Sequence, residues 1–322
     1  MPSRISRRNF LAGLGVAAAS TAVSSVPAWS FFEPPLYPPL DLSYFDKPIS
    51  PAPAEIRLGY ASITWGGNDR QAIEDVSALG FRGIQLRANA IKEFGSANEL
   101  KDLLQKHQLT MVALSSGGVR IDQAEADEIA KHTANAKFVH DVGGLYLQVI
   151  DQKPKDRAVT SADYQRLGRT ITEIGKRTAD LGISLGYHNH MGTLSERPEE
   201  LDQILSAADP RYAKLELDVA HYFQGGGDPA KAIDTYRDRL LFLHIKDVEP
   251  MPSTSGGAKG YRFVELGRGK VDLPAVFQAL HKANFRGWAV VELDNVTDTS
   301  RTAKDSAAIS KKYLEERLGL TV

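Results

Sequence analysis

Residues 183–218 read ISLGYHNHMGTLSERPEELDQILSAADPRYAKLELD. Ile183–His188 is a short apolar run that ends in polar residues. Pro198–Ala207 repeats its apolar positions at helical spacing, and Lys214–Asp218 is a second short apolar run that ends in an acid. Short runs of this kind read as buried strands and the longer periodic stretch as an amphipathic helix. Strand, helix and strand in succession make a parallel crossover unit. Gly182, just before the first strand, is the stop signal of a preceding helix.

Working outward, the same unit recurs from Glu55 onward. The strand candidates are Arg57–Thr64, Gly83–Arg87, Thr110–Ser115, Gly144–Val149, Ile183–His188, Lys214–Asp218, Leu240–Lys246 and Trp288–Glu292. Amphipathic stretches separate them, at Asp69–Leu79, Ala97–His107, Gln123–Val142, Ser161–Leu181, Pro198–Ala207, Pro229–Arg237 and Leu273–Ala283. A last helix at about Ser300–Leu318 closes the chain. Eight strands alternating with helices predict a single-domain (β/α)8 TIM barrel over residues 55–322. A doubly wound open sheet is the alternative. Its dinucleotide fingerprint is missing, because "SITWGGND" after the first strand has glycines at the wrong spacing.

Composition narrows the chemistry. The chain has 322 residues, 42% hydrophobic and 25% charged, with a formal net charge of −1. That balance gives no global field toward nucleic acid or an anionic membrane. The absence of cysteine excludes disulfides, thiolate metal sites and cysteine nucleophiles. Any transition-metal site must be built from His, Asp and Glu.

The first 28 residues read as an address. Arg4, Arg7 and Arg8 precede an alanine-rich apolar stretch and small residues that suit cleavage after Ala28. Arg7–Arg8 followed by Asn9, Phe10 and Leu11 resembles a twin-arginine export signal. The expectation is a periplasmic protein handed to the twin-arginine machinery, with no stable membrane span after processing. Residues 29–54 form a proline-rich linker.

A TIM barrel carries its chemistry at the C-terminal ends of its strands. Those ends read YHNH, LELD, LHIKD and VVELD for the fifth to eighth strands. Side chains alternate along a strand. His188 therefore shares a face with Gly186 and His190, Asp218 with Glu216, His244 with Lys246, and Glu292 with Asp294. One inward residue from each strand gives His188, Asp218, His244 and Glu292. Two imidazoles and two carboxylates suit one Mn, Zn, Co or Fe ion better than Mg or Ca, which prefer all-oxygen shells.

The stretches LDVAHYFQGGGDP, FLHIKDVEP and ELGRGKVDLPAVFQALHKANFRGWAVVELD resemble the xylose isomerase-like TIM-barrel superfamily of sugar isomerases and epimerases, most of all its inosose dehydratase-like members. The likeness runs from about Ile56 to the C-terminus. It implies a divalent metal at strands five to eight, with Asp218, His244 and Glu292 at ligand positions. His221 falls on the second polar residue of the D-x-x-H motif. Many relatives carry glutamate at strand five as ligand and base, where this chain has His188. His190 is the alternative ligand.

The step shared by that family is removal of a proton beside a carbonyl. Epimerisation by two carboxylates needs an acid on each face, and here Glu292 stands opposite His188. Elimination needs one base and one acid for the leaving oxygen, and histidine suits that second role near neutral pH. The reading favours a lyase or dehydratase acting on a keto-sugar, keto-glycoside or keto-cyclitol, ahead of an isomerase or epimerase. Glu292, His188, Lys246 and His221 are the catalytic candidates. Lys246 polarises an oxygen, or acts as a base if burial depresses its pKa; its plain alternative is a salt bridge with Glu216 or Asp247. His221 is a proton shuttle or a packing residue. His190, Trp65 and Arg268 are the candidate substrate contacts, and Glu216 reads as an internal ion partner. His107, His132, His140 and His281 lie on predicted helices and receive no chemistry.

Two other classes compete. A metal-dependent nuclease on this barrel needs more ligands at early strand ends, and QLRAN and LSSGG lack histidine there. A non-catalytic sugar-binding barrel would bind carbohydrate without metal or turnover.

Overall fold

The structure, a computed structural model, describes residues 54–251 and 260–322. Eight strands close a parallel barrel in the order β1-β10-β7-β6-β5-β4-β3-β2. They are β1 (Glu55–Ala61), β2 (Gly83–Arg87), β3 (Thr110–Arg120), β4 (Tyr146–Gln152), β5 (Ser184–His188), β6 (Ala213–Asp218), β7 (Leu240–Ile245) and β10 (Arg286–Val291). A separate antiparallel hairpin of β8 (Asp247–Pro250) and β9 (Tyr261–Val264) follows β7. The predicted signal and most of the linker, residues 1–53, lie outside the described residues. Among the described residues no helix is long and apolar enough to cross a membrane.

The helices stop and start where their caps require. Ser96 and Asn68 accept backbone N–H bonds at helix N-termini. Gly143 ends Glu125–Val142 with a φ of 87°, a left-handed turn that favours glycine. The core lies between helices and sheet, and a second apolar layer fills the lower barrel. Trp288, Phe242, Val112 and Val290 are buried there, with Tyr146 stacked on Phe242 at 5.1 Å between ring centroids. A Cβ on Gly83 would come within 2.4 Å of the Trp288 ring, so only glycine lets that indole cross the barrel.

Several strand boundaries differ from the sequence expectation, β1 and β3 most of all, and one hairpin was not expected. β1 ends at Ala61, and Ser62–Trp65 forms a 3-10 turn. Thr64 is drawn across the barrel top, where its Oγ1 donates to the Leu293 carbonyl at 2.7 Å. β3 runs past Ser115 to Arg120, because Gly118–Arg120 find partners on β4 after a shift in register. Short runs such as DVEP and YRFV gave no strand signal, yet they pair from Asp247↔Val264 to Pro250↔Tyr261.

Register sets the mouth of the barrel. His188 of β5 lies level with Glu216 of β6, and Asp218 of β6 lies level with His244 of β7. Val291 pairs with Ile245, so Glu292 leaves β10 one step above the sheet beside Lys246.

Candidate metal centre and cavity

The structure brings His188, Glu216, Asp218, His244, Lys246 and Glu292 together, all buried, with His190 and His221 beside them. His244 is the hub. Its Nε2 lies 2.7 Å from Glu216 Oε1 and 2.9 Å from Gln85 Oε1. Gln85 Oε1 is an acceptor, so that nitrogen carries a proton and donates to it, while both Glu216 oxygens are buried without a hydrogen-bond partner. The other nitrogen, Nδ1, faces Asp218 Oδ2 at 3.6 Å and Glu292 Oε1 at 3.5 Å. His188 Nδ1, Asp218 Oδ2 and His244 Nδ1 are buried without a hydrogen-bond partner. Converging, unpartnered donor atoms from imidazole and carboxylate groups are what a divalent cation needs.

The electrostatics agree. Burial alone would lower the His244 pKa, but Glu216 and Glu292 raise it well above its usual value. The carboxylates around it favour the cationic form of the ring, whose charge offsets their mutual repulsion. Burial alone would raise the Glu292 carboxyl, and His244 and Lys246 bring it down to about 2. Glu216 is pushed up to about 7 by burial, against the pull of His244. His188 falls well below the ordinary histidine value through burial and then through His244. His221 does so through burial and Lys246, and His190 is lowered for the same two reasons.

Lys246 does not make the pairing expected from sequence. Its Nζ donates to Glu292 Oε1 at 2.8 Å and to Asp294, not to Glu216 or Asp247. Asp247 instead accepts backbone N–H bonds from Val248, Gly267, Gly269 and Val271. Burial would lower the Lys246 pKa, but Glu292, Asp294 and Asp218 raise it. It stays a cation, which removes the role of base by depression. The hairpin covers it, with the Phe263 ring centroid 4.0 Å from Nζ.

A cavity of about 230 Å³ opens above this cluster. His188, His190, His244, Glu292 and Asp294 line one side, and Gln85, Arg87, Gln148 and Ile63 line the other. Neither Trp65 nor Arg268 lines it. Trp65 packs edge-on against Tyr60 and donates from Nε1 to Asp75 Oδ2 at 2.9 Å. That bond turns the indole away from the mouth. Arg268 lines a different, outer cleft with Arg262, Arg301, Glu249 and Asp298.

Several residues of the mouth escaped the sequence reading. Gln85 and Gln148 are buried polar side chains inside apolar strands, and that misfit was the available signal. Asn189, between the two histidines of YHNH, ties β5 to β6. It accepts from Asp218 N at 2.9 Å and donates to Asp218 O at 3.2 Å. Asp151 holds the next loop by accepting from Leu194 N and from Tyr187 Oη, both at 2.6 Å.

Fold and mouth together define a (β/α)8 barrel with a buried His/Asp/Glu centre at its C-terminal face. The family model "Xylose isomerase-like TIM barrel" matches residues 73–315, and the chain belongs to that family. An inosose dehydratase of Lacticaseibacillus casei is 26% identical, over 82% of this chain and 98% of its own length. The structure of the IolI protein with a binding zinc atom superposes with a TM-score of 0.70 at 18% identity, over 81% of this chain and 97% of that one. The probable 3-DHS dehydratase AsbF from Bacillus anthracis gives 0.66 at 18% identity, over 81% and 99%.

Proposed function

We propose that this protein is a divalent-metal-dependent enzyme that removes the proton beside the carbonyl of a keto-sugar, keto-glycoside or keto-cyclitol, and then expels the β-oxygen. The observation that carries this reading is the convergence of Asp218 Oδ2 and Glu292 Oε1 on His244 Nδ1, at 3.6 and 3.5 Å, beside an open cavity. His188, Asp218, His244 and Glu292 would hold the ion. When bound, it supplies Lewis-acid polarisation of a carbonyl oxygen.

The chain supplies the rest. Glu216 fixes the orientation of His244. Lys246 keeps a positive charge against Glu292 and Asp294 at the cavity edge, where negative charge develops on a substrate losing a proton. Neutral imidazoles beside the cavity are proton acceptors near pH 7. The inosose dehydratase relative, aligned over nearly its whole length, supports dehydration as the outcome. Isomerisation through the same enediolate is the alternative. The sequence of residues 1–28 supports export through the twin-arginine route as part of the proposal.

Incubation with inososes and 3-keto-glucosides in D2O, followed by NMR, tests the reading. Loss of water or alcohol with deuterium entering beside the carbonyl is the expected result. Exchange without loss would assign an isomerase. No exchange on either class, in protein carrying its metal, would overturn proton abstraction.

A further inference from the structure

Met191 touches two neighbouring histidines with its main chain. His190 and His221 lie 3.8 Å apart between ring centroids. His190 Nδ1 is 2.7 Å from the Met191 carbonyl oxygen. A carbonyl only accepts, so His190 Nδ1 carries the proton and, in the neutral ring, Nε2 carries the lone pair. The Met191 N–H points at His221 Nδ1, 3.1 Å away. A backbone N–H only donates, so His221 Nδ1 carries the lone pair and Nε2 the proton. Lys246 Nζ is a longer 3.4 Å from His221 Nε2, and two of its three N–H groups go to Glu292 and Asp294, so the Met191 contact is the shorter of the two on this ring. The Met191 bond therefore sets the tautomer.

We infer that His190, held by the Met191 carbonyl, is the residue that takes the proton from substrate carbon, and that His221 is a tautomer-locked positioning residue rather than a proton relay. This rests on the proposed reading of the site as a proton-abstracting centre. His190 lines the cavity, and Nε2 is the nitrogen to which the Met191 bond leaves the lone pair. His221 is 1% exposed, and its Nε2 faces Asp218 Oδ2 at 4.0 Å. A relay must take a proton at one nitrogen as it gives one at the other. The Met191 N–H blocks Nδ1, and a neutral ring that gave up its Nε2 proton would become an imidazolate. For the same reason His188, His190 and His221, although close enough together to hold an ion, lack a third lone pair.

The step balances without a co-reactant. The C–H bond breaks and its electrons form the enediolate, while the proton moves to His190 Nε2. The C–O bond of the β-hydroxyl then breaks as the new C=C forms. The leaving oxygen takes the proton back from His190 and departs as water.

Nitrogen-15 NMR of histidine-labelled full chain, stripped of metal by chelation, reads the tautomers directly. Opposite tautomers are expected, with the proton on Nδ1 of His190 and on Nε2 of His221, assigned with His190→Asn and His221→Asn. The same tautomer in both, or the reverse pair, overturns the inference whatever the substrate. Asparagine also separates the roles kinetically, because its amide reproduces the group at the δ position and nothing at ε. At position 190, Asn and Leu should both lower kcat by about 10²- to 10⁴-fold, with metal content unchanged. At position 221, Asn should keep about tenfold more kcat than Leu, because it still satisfies the buried Met191 N–H. Rescue by His190→Asn, or none by His221→Asn, overturns the assignment. If no keto substrate turns over, the proposed function fails and the assignment of His190 as base fails with it, while the tautomers still decide whether His221 is locked.

Discussion

His244 and Glu216 form a fixed couple: Nε2 of the imidazole lies 2.7 Å from the buried carboxylate, which turns Nδ1 toward Asp218 and Glu292. Carboxylates that orient a ligating imidazole tune metal affinity by about 10- to 100-fold. Glu216→Gln should therefore weaken zinc or manganese binding by about that factor, while His244→Ala or Asp218→Ala should remove most of the metal. Titration calorimetry and elemental analysis of the purified protein check this. Unchanged metal content in Asp218→Ala would sink the centre.

Lys246 competes with any bound cation for Glu292. Removing it as Lys246→Met leaves buried carboxylates unpaired. The metal-free protein should lose about 3–5 kcal/mol of stability. Affinity for a divalent metal should rise, by about tenfold or more, since a positive charge 3.9 Å from Asp218 Oδ2 is gone. Denaturation with and without metal reads both effects, and a fall in affinity would contradict the competition.

His132 gives the fold a pH dependence away from the mouth. Its Nδ1 is 2.6 Å from Ser116 Oγ, its Nε2 is 3.6 Å from Glu128, and the ring is fully buried. Burial, and then Lys131, lowers its pKa to about 4. The unfolded ring, with its ordinary value of about 6.5, binds a proton in this window and the folded ring does not. Stability is therefore complete above about pH 6.5 and falls as pH drops toward about 4, by roughly 3 kcal/mol. His132→Gln should flatten that slope in urea titrations at a series of pH values. An equal slope in both proteins would refute the assignment.

Trp65 makes the opposite kind of prediction. Trp65→Phe removes its bond to Asp75 and should cost about 1 kcal/mol of stability. KM for any substrate of the cavity should not move. A large rise in KM would return Trp65 to the substrate site.

Export has its own test. Replacing both Arg7 and Arg8 with Lys should leave the precursor uncleaved in the cytoplasm. Processing and periplasmic recovery at the wild-type level would refute the twin-arginine route.

The strand-end residues were legible because a barrel ties function to a repeating position. A polar residue after an apolar run, with period-two parity, is enough to gather His188, Asp218, His244 and Glu292. β2 was read to its last residue because Gly83–Arg87 starts at a glycine and runs into the Ala88–Asn89 turn. What sequence could not carry was direction beyond the strands. Trp65 looked like a sugar platform until Asp75 claimed its N–H. Lys246 has several acidic neighbours in sequence or across the barrel, and only packing chose Glu292 and Asp294. The tautomers of His190 and His221 depend on backbone atoms of Met191, which no side-chain pattern reports.

The apolar layer under the mouth has a kinetic meaning. Among the described residues, Trp288, Phe242 and Val290 fill the lower barrel and close the cavity on that side. A product must leave by the opening through which the next substrate arrives. Product should therefore compete with substrate, and crowding of the rim should slow both traffic directions together.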